Sequence, residues 1–311
     1  MTIGVLVMAY GGPDSLDDVE PYLLDVRGGR TTSPDIVEEV RERYRQIGGR
    51  SPILERTQAQ AQSLERALSA SPTGPAFTCF VGMRHWKPRI ETALEDMDRA
   101  GISHAVGLVM APHYSRMSVG AYFKKVAEAE TGVDVVPIEH WHLLPEFTTV
   151  LAQRIANGLQ EFPVGVRERV HVVFTAHSLP ERIRQWNDPY PSELRATVDA
   201  VTDRLRERSV QNAFGFAYQS AAMTSDPWLG PDVQHVVTQL HEQGVPGVLV
   251  VPIGFTSDHV EILYDIDIAL AVHAATLGIS LRRIPMLNDD PAVMAGLASL
   301  VRERASAATW T

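Results

Sequence analysis

Short apolar, β-branched runs alternate with longer amphipathic stretches from one end of this chain to the other. Runs 3–9, 76–82, 105–111 and 133–138 read as strands in the first half, and 170–176, 213–218, 247–253 and 280–285 in the second. They are continuous rather than alternating in polarity, as strands of a parallel sheet buried on both faces must be. Between them, 36–47, 58–68, 90–100 and 147–159 carry apolar residues at the 3.6-residue spacing of helices. Strand and helix in alternation predict an α/β fold.

The two halves carry equal numbers of strands at similar spacing, and the strand ends rhyme. Met8-Ala9-Tyr10-Gly11 resembles Thr175-Ala176-His177-Ser178, and Met110-Ala111-Pro112-His113-Tyr114-Ser115 resembles Pro252-Ile253-Gly254-Phe255-Thr256-Ser257. The expectation is two similar lobes, 1–145 and 146–311, each a four-stranded parallel sheet flanked by helices, with a ligand cleft between them. The C-terminal helix is free to pack back on the first lobe, and 304–311 reads as a frayed tail with Trp310 unexplained.

Composition narrows the classes of function. With 311 residues, 45% hydrophobic and 21% charged, the chain reads as a soluble globular protein with a sizeable core. A net charge of −10 argues against nucleic acid as a main partner and against broad attachment to anionic lipid. No apolar stretch reaches the roughly 20 residues of a membrane-spanning helix, and the first residues lack the basic flank of a signal peptide. A cytoplasmic monomer is therefore expected. Cys79 is the single cysteine, so neither an internal disulfide nor an all-cysteine iron–sulfur cluster can form; it reads as a small apolar residue of a buried strand. The chain has no Gly-x4-Gly-Lys-Ser/Thr loop, no Gly-x-Gly-x-x-Gly after the first strand and no His-Glu-x-x-His motif.

Two segments carry most of the chemistry. Thr175-Ala176-His177-Ser178-Leu179-Pro180 and Ser257-Asp258-His259-Val260-Glu261-Ile262-Leu263-Tyr264-Asp265 both follow buried strands, and open α/β sheets place their ligands outside the carboxyl ends of strands. A neutral imidazole at His177 can ligate a metal or accept a proton, although a histidine at a strand end is satisfied equally well by backbone alone. Asp258, Glu261 and Asp265, at i, i+3 and i+7, would share one face of a helix opening at Glu261 and could pass protons or cations along a row. Taken alone, the row also fits a solvated acidic face with Asp258 as the cap.

Tyr10, at the end of the first strand, can stack on a flat ligand, coordinate iron or simply pack a turn. Arg27, Arg30, Arg43, Tyr44 and Ser51 gather around a Gly- and Pro-broken lip at 26–34 and suit an acidic ligand through bidentate arginine pairing, though each arginine singly fits a surface ion pair. His85 and His113 also stand at strand ends and rank below His177 because no acidic partner is evident nearby.

Together these segments resemble the ferrochelatase family, whose members insert ferrous iron into a porphyrin. The matching residues are LVMAYGGP at 6–13, RYRQIGGRSPI at 43–53, GMRHWKPRI at 82–90, APHYS at 111–115, AHSLPERI at 176–183, DPWLGPDV at 226–233 and GFTSDHVEILYDID at 254–267. The resemblance implies two Rossmann-like lobes around a porphyrin cleft, with His177 and Glu261 as the iron-binding and proton-handling pair. Length, lone cysteine and lack of a membrane segment look like the Gram-positive branch that metallates coproporphyrin III. In that branch the residue matching Tyr10 is the axial iron ligand, and those matching Arg27, Arg43, Tyr44, Ser51 and Tyr122 contact the substrate. His85, Asp258 and Asp265 are secondary candidates. Ferrous iron is then a substrate, and no cofactor or iron–sulfur cluster is held permanently. Ala269 stands where relatives extend the acidic row, which removes the basis for an outer metal site. Protoporphyrin IX as substrate and a non-catalytic carrier of haem or metal are the alternatives.

Overall fold

The computed structural model describes residues 2–70, 74–222, 226–308 and 310. Its strands are β1 (Thr2–Ala9), β2 (Ala76–Met83), β3 (His104–Val109), β4 (Asp134–Ile138), β5 (His171–His177), β6 (Phe214–Gln219), β7 (Gly247–Pro252) and β8 (Ser280–Arg283). Its α-helices are α1 (Val19–Val26), α2 (Pro34–Gln46), α3 (Ile53–Ser69), α4 (Ile90–Arg99), α5 (Val119–Glu128), α6 (Pro145–Gln160), α7 (Tyr190–Glu207), α8 (Val233–Glu242), α9 (Val260–Leu263), α10 (Ala271–Leu277) and α11 (Pro291–Ala307).

The strands form two four-stranded parallel sheets, ordered β2-β1-β3-β4 and β6-β5-β7-β8. The two orders are the same pattern repeated. In each, the chain steps from the first strand to one neighbour and then crosses to the other side. The order therefore reverses between β1 and β3, and again between β5 and β7. Such switch points open a crevice outside the carboxyl ends of the central strands.

Residues 2–141, 257–260 and 287–310 make up the first compact unit, and 142–256 with 261–286 the second. The expected boundary at 145 thus lies just past Trp141, and the chain from Leu287 onward groups with the first sheet. The cause is the apolar face of α11: Val293, Met294, Leu297 and Val301 are buried, and the helix packs on α3, β3 and β4. Arg302 donates to the Leu68 carbonyl and lies over the Phe77 ring, and Arg304 Nε donates to the Pro137 carbonyl at 2.9 Å. The frayed tail expected from Arg304 is therefore corrected. Helix continues to Ala307, and Trp310 stacks on His104 with ring centroids 4.8 Å apart.

Local chemistry accounts for the element ends. β1 is buried along Ile3–Ala9, as a central parallel strand must be. In α3, Ile53, Thr57, Gln60, Ala61, Leu64 and Leu68 are buried, a single stripe at helical spacing. Asp232 and Asp290 cap α8 and α11, each accepting from two backbone N–H groups of the first turn. Gly278, at φ 72°, ends α10 in the left-handed conformation that favours glycine.

Candidate active site

His177 is the last residue of β5, and Glu261 lies in α9, reached from the end of β7. Strands β5 and β7 are hydrogen-bonded neighbours at the switch point of the second sheet. The loop leaving β7 passes directly against β5: a Cβ at Gly254 would come within 2.7 Å of the Ala176 Cβ. Only glycine lets the Glu261 segment start so close to the His177 strand.

The imidazole is oriented by its own neighbours. Its Nδ1 pairs with the Ser178 carbonyl; a carbonyl can only accept, so Nδ1 carries a hydrogen, and in the neutral ring Nε2 then holds the lone pair. That Nε2 faces Glu261 Oε1 at 3.6 Å, with the two side chains 30% and 31% exposed. The rings of Trp228 and Phe255 stand 6.3 and 6.4 Å from the imidazole. Below it, the Tyr190 hydroxyl donates to the His177 carbonyl at 3.0 Å. Burial, with Tyr218 and Glu261 nearby, pushes that phenol far up, so it stays a donor.

A lone pair and a carboxylate oxygen 3.6 Å apart suit a shared cation. Ligand bonds of about 2.1 Å from each atom would meet at an angle of about 120°. The same two atoms are also proton acceptors.

The loops bearing the other motif residues brace this pair. Ser178 Oγ donates to the Leu229 carbonyl at 2.8 Å, Leu229 N to the Leu179 carbonyl at 2.9 Å, and Glu181 N to the Pro227 carbonyl at 2.9 Å. The DPWLG segment therefore clamps the turn after His177.

Of the three acids expected in a row, Glu261 lies in α9, Asp258 before it and Asp265 after it. Asp258 precedes α9, exchanges two hydrogen bonds with Asn288 at 3.1 and 2.9 Å and lies 3.7 Å from Arg56 in the first unit. Asp265 begins a π-helical stretch over Asp265–Leu270 and accepts from Ser220 Oγ. There the Ala269 N–H reaches the Tyr264 carbonyl, an i to i+5 bond of 2.8 Å, the wider turn of a π-helix.

In the first unit, Tyr10 follows β1 and is 38% exposed. The turn after β2 is clipped to it: Arg84 N donates to the Ala9 carbonyl and His85 N to the Tyr10 carbonyl, both at 2.9 Å. The His85 ring lies 4.7 Å from the Tyr10 ring, and the Arg84 guanidinium sits 5.8 Å from Tyr10 and 5.5 Å from Tyr122. Contrary to expectation, His85 does have an acidic partner. Its Nδ1 is 3.0 Å from Asp25 Oδ2, and Asp25 Oδ1 accepts from Arg89 at 2.8 Å. Burial, reinforced by Arg84, pulls the His85 pKa down to about 4 despite the Asp25 hydrogen bond. Burial opposes ionisation of Asp25, but the bonds from Arg89 and His85 outweigh it and hold its carboxyl below the ordinary range.

The other substrate candidates divide by exposure. Arg27 is exposed, and Arg43 is partly exposed and pairs with Glu39 at 2.7 Å. Tyr44 is buried in a cluster with Val19 and Val37. Tyr122 is buried in the core beside β1 and β3. Ser51 is buried against Gly12, where a Cβ would approach its Oγ to 2.5 Å. Cys79 lies within β2, its N–H donating to Glu65 at 2.6 Å, and burial pushes its thiol well up.

The sequence reading did not pick out Asp25, Arg84, Arg89, Thr175 and Gln219. Asp25 had a signal, a charge inside the apolar helical run Tyr22–Val26. Gln219 had little, standing just past an expected strand end.

A model of the ferrochelatase family matches residues 2–305. The chain is 43% identical to a ferrochelatase of Deinococcus radiodurans over 308 residues, covering 98% of this chain and 96% of that protein. It is 37% identical to a coproporphyrin III ferrochelatase of Listeria monocytogenes, with 98% of each covered. Among solved structures, SirB from Bacillus subtilis superposes with a TM-score of 0.57 at 12% identity, covering 98% of this chain and 96% of that one, a likeness of fold alone. With the family match spanning nearly every described element and both site motifs, this chain belongs to the ferrochelatase family.

Proposed function

We propose that this protein inserts ferrous iron into coproporphyrin III to give Fe-coproporphyrin III in haem biosynthesis. The observation that carries the reading is the His177–Glu261 pair, Nε2 to Oε1 at 3.6 Å on adjacent switch-point strands. Porphyrin plus Fe(2+) gives metalloporphyrin plus two protons. The site must therefore hold a partly dehydrated cation and accept protons from two pyrrole N–H groups. His177, with Nε2 free to bind, and the Glu261 carboxylate supply both functions. Distortion of the macrocycle, an effect of about 1–5 kcal/mol, would tilt the pyrrole lone pairs toward the incoming ion.

Tyr10 is assigned as the axial ligand of the product iron, with Arg84 and His85 around its ring. The coproporphyrin choice rests on the lip. Four propionates need cationic and hydroxyl partners, and Arg27, Arg43 and Ser51 are assigned that task with Tyr44 and Tyr122. The relative from Listeria monocytogenes carries the same substrate in its name. The reaction needs no resident cofactor. We place the protein in the cytoplasm as a monomer; among the described residues no helix is long and apolar enough to cross a membrane.

A second reading, protoporphyrin IX as substrate, is favoured by the Deinococcus radiodurans relative, named simply a ferrochelatase. Anaerobic metallation of the two porphyrins in parallel decides between them, with a higher kcat/KM expected for coproporphyrin III. Many turnovers per chain are expected; product that stops at one equivalent would mark a carrier.

A further inference from the structure

We propose that Gln219 is a positioning residue for the metal-side pair, its amide fastening the Glu261 turn to strand β5 and so setting the distance between Glu261 and His177. The inference rests on the reading of that pair as the iron-side ligands.

Gln219 ends β6 and stands opposite His177 in the parallel register. Its carbonyl accepts from Ser178 N at 2.8 Å, which ties it to the turn that orients the imidazole. The side chain is 1% exposed, and it bridges two elements. Oε1 accepts from Thr175 Oγ1 at 2.7 Å, while Nε2 donates to the Glu261 carbonyl at 2.8 Å and to Ser220 Oγ at 3.4 Å. Thr175, itself fully buried in β5, has its hydroxyl committed to this bond.

The bridge requires an acceptor and a donor on one planar group. Glutamine supplies both, an ionised glutamate cannot donate, and methionine supplies neither. The anchor matters because Glu261 sits where a four-residue α-helix gives way to the π-helical stretch beginning at Asp265. Helical bonding continues from here through Leu277 but cannot by itself tie this first turn to the neighbouring sheet. A contact from the His177 sheet can, and Gln219 makes one. Outer partners of metal ligands act in this way, and losing one typically costs about 10–100-fold in metal affinity or activity.

The test compares the full chain with Gln219→Met, Gln219→Glu and Thr175→Val. Read out are anaerobic kcat and KM for ferrous iron with coproporphyrin III, the porphyrin Kd from fluorescence quenching, and Tm. The expected result for both Gln219 variants is a rise of about tenfold or more in the iron KM, with porphyrin Kd within twofold of wild type. Thr175→Val, near-isosteric and missing only the donor to Oε1, should give the same selective change at smaller size, so the proposal stays testable if the Gln219 variants do not fold. Unchanged iron KM in folded variants, or parallel loss of iron and porphyrin binding, overturns the proposal. Wild-type protein that fails to metallate, or His177→Ala that metallates normally, defeats the underlying reading and this inference with it. Normal wild-type behaviour with indifferent Gln219 and Thr175 variants defeats the inference alone.

Discussion

His177 Nε2 and Glu261 Oε1 lie 3.6 Å apart, too far for a strong direct hydrogen bond and close enough to share one ion. The pair is only about two-thirds covered, so a solvated ion can reach it. His177→Ala removes one ligand and one proton acceptor together, and Glu261→Gln removes the carboxylate charge while keeping shape. Each should lower kcat for iron insertion by about 10²–10⁴-fold, the usual weight of a positioned acid–base group. Stopped anaerobic metallation assays, with circular dichroism to verify the fold, provide the check. Rates within a few-fold of wild type would remove the pair from the mechanism.

The Arg84 guanidinium lies within cation–π range of both the Tyr10 and Tyr122 rings. Tyr10→Phe keeps this packing and removes only the oxygen proposed to ligate product iron. The Fe-coproporphyrin complex of that variant should lose the absorption and resonance Raman features of tyrosinate ligation. An unchanged spectrum would show that Tyr10 does not bind the iron.

The Asp25–His85 pair makes acid sensitivity predictable. The native His85 pKa is about 4 against an ordinary 6.5. Between those values the unfolded chain holds a proton that the native state refuses, so stability falls as pH drops from 6.5 toward 4. Asp25, whose pKa is lowered in the native state, adds stability at higher pH that is lost once acid protonates it, below the His85 window. Urea unfolding at pH 7 and pH 4.5 should show a clear loss of stability for wild type. His85→Gln, which can keep a hydrogen bond to Asp25 without titrating, should show a shallower loss. Identical pH slopes would contradict the assignment.

Arg43 pairs with Glu39 one helical turn away, an exposed i, i+4 pair of small worth, about 0.3–0.5 kcal/mol. If it serves propionates, Arg43→Ala should raise the KM for coproporphyrin III by about tenfold, one charge-assisted contact of about 1.5–3 kcal/mol, and affect protoporphyrin IX less. Equal losses for the two porphyrins would refute the lip assignment.

The eight strands were legible because each depends on local pattern. Buried parallel strands must be apolar throughout, and residues at their carboxyl ends are exposed to whatever the sheet binds. The Asp25–His85 contact and the Gln219 bridge were not legible. Asp25 and His85 are far apart in sequence, and a glutamine past a strand end is as often a surface residue as a buried tether. The π-helical turn over Asp265–Leu270 was not legible either, since the spacing of its residues carries no sign of it.

Periodicity thus sufficed for the architecture of two repeated sheets, whereas His177 and Glu261 were singled out by their motifs together with the family resemblance. Periodicity is a short-range property, set by which side chains can be buried and which must stay wet. How far apart those two groups stand came from contacts between distant segments. Such contacts are chosen by close packing and hydrogen-bond satisfaction across the whole fold, which no window of neighbouring residues encodes.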